Sequence, residues 1–157
     1  MSEDLSIEFS ANGRSLALFV QRGSVRQTGG EPDENPLRVV IEADTGSFHG
    51  RVGAFMWLYE LEHLKNTLVD LGQKVGKEAE AQFSSIEPAL QIAFATSRSG
   101  GLVLNVEICE GPVLENHLAF VIEADQSYLT SWLEQVTHVL EYVTQEAARE
   151  FGQPEHP

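Results

Sequence analysis

At 157 residues, with 24 Asp and Glu against 10 Lys and Arg, the chain has a formal net charge of -14. That balance argues against phosphate backbones and anionic lipid surfaces as direct partners, so neither nucleic acid nor membrane is expected. The length suits one domain, residues 1–152, able to bury close to ~70% of the surface its unfolded form exposes. A single cysteine, Cys109, cannot form an internal disulfide, which agrees with a reducing compartment and an expected cytoplasmic location.

Met1-Ser-Glu-Asp-Leu-Ser6 has no basic region followed by an apolar run, and no later stretch approaches the ~20 apolar residues of a membrane-spanning helix. Alternation at period two then marks strands with one buried face. Leu5, Ile7 and Phe9 open the series, and Leu16, Leu18 and Val20 follow across Ala11-Asn12-Gly13-Arg14, where Asn-Gly supplies the positive-φ residues of a tight hairpin. The stretch from Gly23 to Pro36 reads as an acidic loop inside the domain. Leu37, Val39, Ile41 and Ala43 alternate next, then Phe48, Gly50 and Val52.

From about Met56 the period becomes helical, with Trp57, Leu61, Leu64, Leu68 and Leu71 spaced for one face and Gly72 as terminator. Gln73 to Glu80 reads as a polar connector. Strands return at Leu90, Ile92 and Phe94, at Leu102, Leu104, Val106 and Ile108, and at Leu118, Phe120, Ile122 and Ala124, with a turn at Ser97-Arg-Ser-Gly-Gly101. A second helix starts near Asp125 or Ser127, either a suitable cap, and runs toward Phe151 with an apolar stripe of Leu129, Trp132, Leu133, Val136, Leu140, Val143 and Ala147. Gln153 to Pro157 should fray as a disordered tail.

The economical arrangement is a single, mostly antiparallel sheet with both helices packed on one face, an α+β fold in two layers. Val40-Ile-Glu-Ala-Asp44 returns as Val121-Ile-Glu-Ala-Asp125. Either the chain has two halves of the form strands then helix, or one physical job recurs.

Catalytic patterns are missing. No G-x-x-x-x-G-K-[ST], G-x-G-x-x-G or G-x-S-x-G occurs, and Cys109 stands between Glu107 and Glu110, whose charge opposes a thiolate. A metal enzyme would have to use Glu60 and His63, three apart on one helix, with Glu134 and His138, four apart on the other. Those pairs fall toward the polar sides of their helices, so no metal or cofactor is expected. Glu107 and Glu123 stand on the polar faces of their strands, where burial that would split their pKa values is not indicated.

What remains is charge of one sign. Leu102 to Ala148 holds eight carboxylates and no Lys or Arg, and such a surface steers a cationic partner, raising encounter rates by roughly 10- to 1000-fold at low salt. On the second helix Glu134, His138 and Glu141 form a polar stripe beside Tyr142, an aromatic suited to anchoring an interface. The candidate partner-binding residues are therefore Glu107, Glu123, Glu134, His138, Glu141 and Tyr142.

Leu118-Ala-Phe-Val-Ile-Glu-Ala-Asp-Gln-Ser-Tyr-Leu129, with Leu133, Leu140 and Tyr142 on the helix after it, resembles the C-terminal signature of the WapI-type immunity proteins. Phe48-His-Gly50 followed by Trp57-Leu-Tyr-Glu-Leu61 resembles the middle of that family, so the similarity spans roughly Leu16 to Val143. The resemblance implies a bacterial, non-enzymatic protein that binds and occludes a cognate toxin domain, often a nuclease and therefore basic. It assigns no site residue. The expected function is thus toxin neutralisation through an acidic surface; an acidic structural or adaptor domain is the alternative, and a small metal-dependent enzyme the third reading.

Overall fold

Alternation of buried and more exposed side chains organises most of eight strands, and a computed structural model describes them over residues 5–21, 36–86, 89–111 and 116–150, the side chains of 147 and 150 apart. The strands are β1 (Leu5–Ala11), β2 (Arg14–Val20), β3 (Leu37–Asp44) and β4 (His49–Met56), then β5 (Ala79–Ser84), β6 (Leu90–Thr96), β7 (Gly101–Glu110) and β8 (Asn116–Asp125). Helix α1 (Leu58–Gly72) follows β4, and α2 (Tyr128–Glu150) follows β8. Most of the expected loop between Gly23 and Pro36, and the tail from Gln153, lie outside the described residues.

The single sheet expected from the sequence is not what forms. Two separate four-stranded antiparallel meanders do, in the orders β1-β2-β3-β4 and β5-β6-β7-β8. At about 4.8 Å per strand, eight strands in one sheet would present an apolar face about 34 Å across, and two helices of about 10 Å diameter leave much of it wet. Two shorter sheets cover each other instead. Phe9 of β1 meets Phe94 of β6 edge-to-face at 6.4 Å and Trp132 of α2 at 5.1 Å, so both sheets and a helix share one core.

The helices are likewise not side by side on one face of a sheet. They pack on each other, and each reaches the first strand of the opposite half: α1 runs against β5 and α2 against β1. Leu61, Leu64, Leu68 and Leu71 of α1 and Leu129, Trp132, Val136, Val139 and Val143 of α2 are buried there. β5 itself falls partly in the segment expected to be a connector. Its only large inward residue is Phe83, with Ala79 and Ala81 beside it, so period two was too weak to read.

Four strands and a helix therefore occur twice, but the repeated pentapeptide does not mark equivalent places. It lies in the third strand of the first half and the fourth of the second. Ile41 and Ile122 are fully buried in both copies, which is the shared physical job.

Local rules hold at the connections. Asn12 and Gly13 take positive φ, 52° and 77°, and close the β1–β2 hairpin as the Asn-Gly pair predicts. Asp125 accepts hydrogen bonds from the backbone N–H and the hydroxyl of Ser127 at the entry to α2, and these hold its carboxyl below the usual value of 3.8. Gln126, with no signal in the sequence, is a buried clamp: its Oε1 accepts from Gly76 N–H at 2.9 Å and its Nε2 donates to the Ser97 carbonyl at 2.9 Å.

Candidate partner-binding face

The outer face of the C-terminal sheet is built from cross-strand rows. One row runs Glu80, Ala95, Val103, Glu123; the next Gln82, Ala93, Asn105, Val121; the third Ser84, Gln91, Glu107, Ala119. His117 stands opposite Cys109 beyond them, and Cys109 is half-buried with a free thiol. The inward partners of these residues, among them Ile92, Phe94, Leu102, Leu104 and Ile122, are core. Because strand side chains alternate, burying one face leaves the other to be chosen freely.

Small side chains occupy the middle of this face. Two shallow depressions, of about 260 and 440 Å³, share Gln82, Ala93 and Asn105. Glu80 borders one and Glu107 the other. Among the described residues the strand positions of this face carry no Lys or Arg, and the basic Lys77 and Arg98 stand in the connections. Glu107 has one cationic neighbour when protonated, His117 at 3.9 Å.

The six residues singled out from sequence fall on two surfaces. Glu107 and Glu123 are exposed on the outer face of β7 and β8. Glu134, His138 and Glu141 are exposed on α2, which packs on α1 and β1. Tyr142 is half-buried and packs against the core, so it is a margin residue of the helix. Glu123 also has company from the front half: Arg14 donates to the Val121 carbonyl at 2.9 Å, Asn12 donates to the Glu123 carbonyl at 2.6 Å, and all four line one depression.

The metal alternative loses its geometry. Glu60 is not on the solvent side of α1 but 3% exposed. Its carboxylate accepts from the N–H groups of Trp57 at 2.7 Å and Ile86 at 2.5 Å, so it closes the helix N-terminus and ties it to the chain after β5. His63 stacks on Phe83 at 6.0 Å. No group of three or more potential metal ligands is present among the described residues.

One feature escaped sequence reading altogether. Phe48, His49, Gly50 and Val52 come against Ile108, His117 and Leu118 to form a cleft of about 310 Å³, with Phe48 67% exposed at its side. His49 and His117 belong to segments 68 positions apart in the chain, so no spacing rule joins them. His49 lies 3.3 Å from Glu42.

The paired-meander fold has solved counterparts. MRP1/MRP2 of Trypanosoma bruciei superposes with a TM-score of 0.50 at 12% identity, covering 94% of this chain and 90% of that one. WHY1 of Arabidopsis thaliana does so with 0.51 at 13% identity, covering 99% of both chains. At such identities the likeness establishes the architecture alone. No curated protein matches by sequence. A family model does: residues 5–144 match the immunity protein WapI-like family, and this chain belongs to it. Its role is therefore toxin immunity, with a protein toxin as the general partner, and such a family is generally non-enzymatic.

Proposed function

We propose that this chain neutralises a cognate, basic toxin domain by occluding it, without catalysis, against the acidic outer face of the C-terminal sheet. The observation that carries this reading is the arrangement of Glu80, Glu107 and Glu123 around a floor of Ala93, Ala95 and Asn105, with no Lys or Arg at its strand positions among the described residues. Small residues let a partner approach the sheet closely, and the carboxylates orient it and accelerate encounter. Glu134, His138 and Glu141 on α2 form a second acidic stripe that extends the field, and the immunity protein acts where the toxin would, in the cytoplasm.

Co-expression with the toxin domain encoded beside it tests this directly. Growth should be rescued and a complex should copurify whose association slows as salt rises. Absence of rescue together with absence of a complex at micromolar concentration would end the proposal, and binding insensitive to ionic strength would favour the alternative of an acidic adaptor.

A further inference from the structure

Three of the four sheet edges are covered. Along β1, Gln135 of α2 accepts the Glu8 N–H at 2.8 Å and reaches back to the Glu8 carbonyl at 3.4 Å. Asn12 and Arg14 bond the outward carbonyls of β8, and α1 packs along β5. For β4, no hydrogen bond among the described residues joins its strand backbone to anything but β3; its first half, His49 to Val52, borders the cleft toward Ile108, His117 and Leu118, and its second half is left without a neighbour of that kind. Open edges are usually blunted by proline, lysine or a bulge; His49-Gly-Arg-Val-Gly-Ala-Phe-Met56 contains neither residue and pairs with β3 without interruption.

We propose that β4 pairs antiparallel with β4 of a second copy of this chain, symmetrically about Gly53, joining the two N-terminal sheets into one of eight strands. Symmetry restricts the register. Side chains of the two copies share a face only if the twofold passes through a residue, and the central choices are Arg51, Val52 and Gly53. Centring on Arg51 opposes two guanidinium groups. Centring on Val52 sets Arg51 against Gly53 and leaves Phe55 against His49.

Centring on Gly53 sets Arg51 of each copy against Phe55 of the other, a cation–π pair made twice. It also covers Phe55, which is 42% exposed in the single chain and already stands beside Arg38 in the ladder. At the twofold itself the two glycines meet, and the outer face above Gly53 is open, with nothing within 4 Å of a Cβ built there.

Local charge selects a second copy over the toxin. Arg38 and Arg51 flank this edge with Glu42 and Asp44 beside them, a border of mixed sign that the same edge of a second copy complements better than a uniformly basic partner does. Two molecules of charge -14 repel at long range, so salt should tighten this contact while it loosens toxin binding.

The protein alone provides the test. In a Cys109→Ser background, Gly53→Cys should cross-link into a disulfide dimer on mild oxidation, faster than Ser84→Cys on the other sheet. Sedimentation equilibrium should show a monomer–dimer balance that moves toward dimer with added salt. Phe55→Ser, an exposed position that leaves the monomer core intact, and Arg51→Glu should each weaken it about tenfold. A strictly monomeric wild type at high-micromolar concentration and high salt, equal cross-linking at both cysteine positions, or a dimer indifferent to Phe55→Ser and Arg51→Glu would overturn the assignment. None of these readouts involves the toxin, so they stand or fall separately from the neutralisation assay.

Discussion

The two sheets are each a four-stranded meander, and their outer faces differ in chemistry. The N-terminal face mixes signs: Glu42 lies opposite Arg51, Asp44 opposite His49, and Arg38 beside Phe55. The C-terminal face has Glu80, Glu107 and Glu123 with His117 beside Glu107, and no Lys or Arg at its described strand positions. Both sheets spend their inward residues on one shared core, so the difference is confined to side chains that folding leaves free. A balanced face suits contact with a like molecule, and a face of one sign suits a partner of the other sign.

The largest test asks whether the halves are independent at all. Phe9 joins β1, β6 and α2, so Phe9→Ala should cost about 3–5 kcal/mol and unfold both halves in a single urea transition. Two separable transitions would show that the sheets are stable alone. Next comes Glu60, whose buried carboxylate serves two N–H groups; Glu60→Ala should cost about 2–4 kcal/mol in thermal or urea unfolding. A loss no larger than that of an exposed acid such as Glu62 would contradict its bridging role.

The contrast between the faces themselves is sharpened by charge reversal. Glu80→Lys with Glu107→Lys should slow association with the toxin domain by about tenfold or more at low salt and flatten its ionic-strength dependence. Glu42→Lys with Asp44→Lys on the other sheet should change it far less, and equal slowing would erase the distinction. Glu134→Lys with Glu141→Lys measures the share carried by α2. Gln135→Ala, which uncovers the β1 backbone, should cost about 0.5–1.5 kcal/mol by denaturation.

The smallest effect concerns Asp125. Its carboxyl is held below 3.8 by Ser127, so its contribution to stability is present above that unfolded value and lost as pH falls through the lower folded one. In a carboxyl NMR titration Ser127→Ala should raise the midpoint toward 3.8; an unchanged midpoint would remove Ser127 as the cause.

How much of this was legible in the residues varies with the range of the interaction. The Asn12-Gly13 turn, the leucine-spaced α1 and the alternation of most strands are local, and they were readable. β5 was half lost because alanines fill its inward positions. Glu60 read as a polar-face acid because burial of a carboxylate depends on the Ile86 N–H, 26 residues away. The acids of Leu102 to Ala148 were visible as a run, yet only register shows that Glu107 and Glu123 share a face with Glu80, and only the packing of the two sheets brings Arg14 beside Glu123.

By itself the amino-acid order determined most of the residues that turn inward, though not Glu60, and assigned Phe48 a strand place it does not have. It also determined roughly where the helices begin, the excess of negative charge and the resemblance that led to the family. Only the tertiary structure decided that the strands divide into two sheets, which edges are sealed, and which acids stand together. The physical reason is that backbone periodicity is set by neighbours a few residues apart. Sheet partition and surface chemistry are set by which apolar faces cover one another, and that choice is made between segments far apart in the chain.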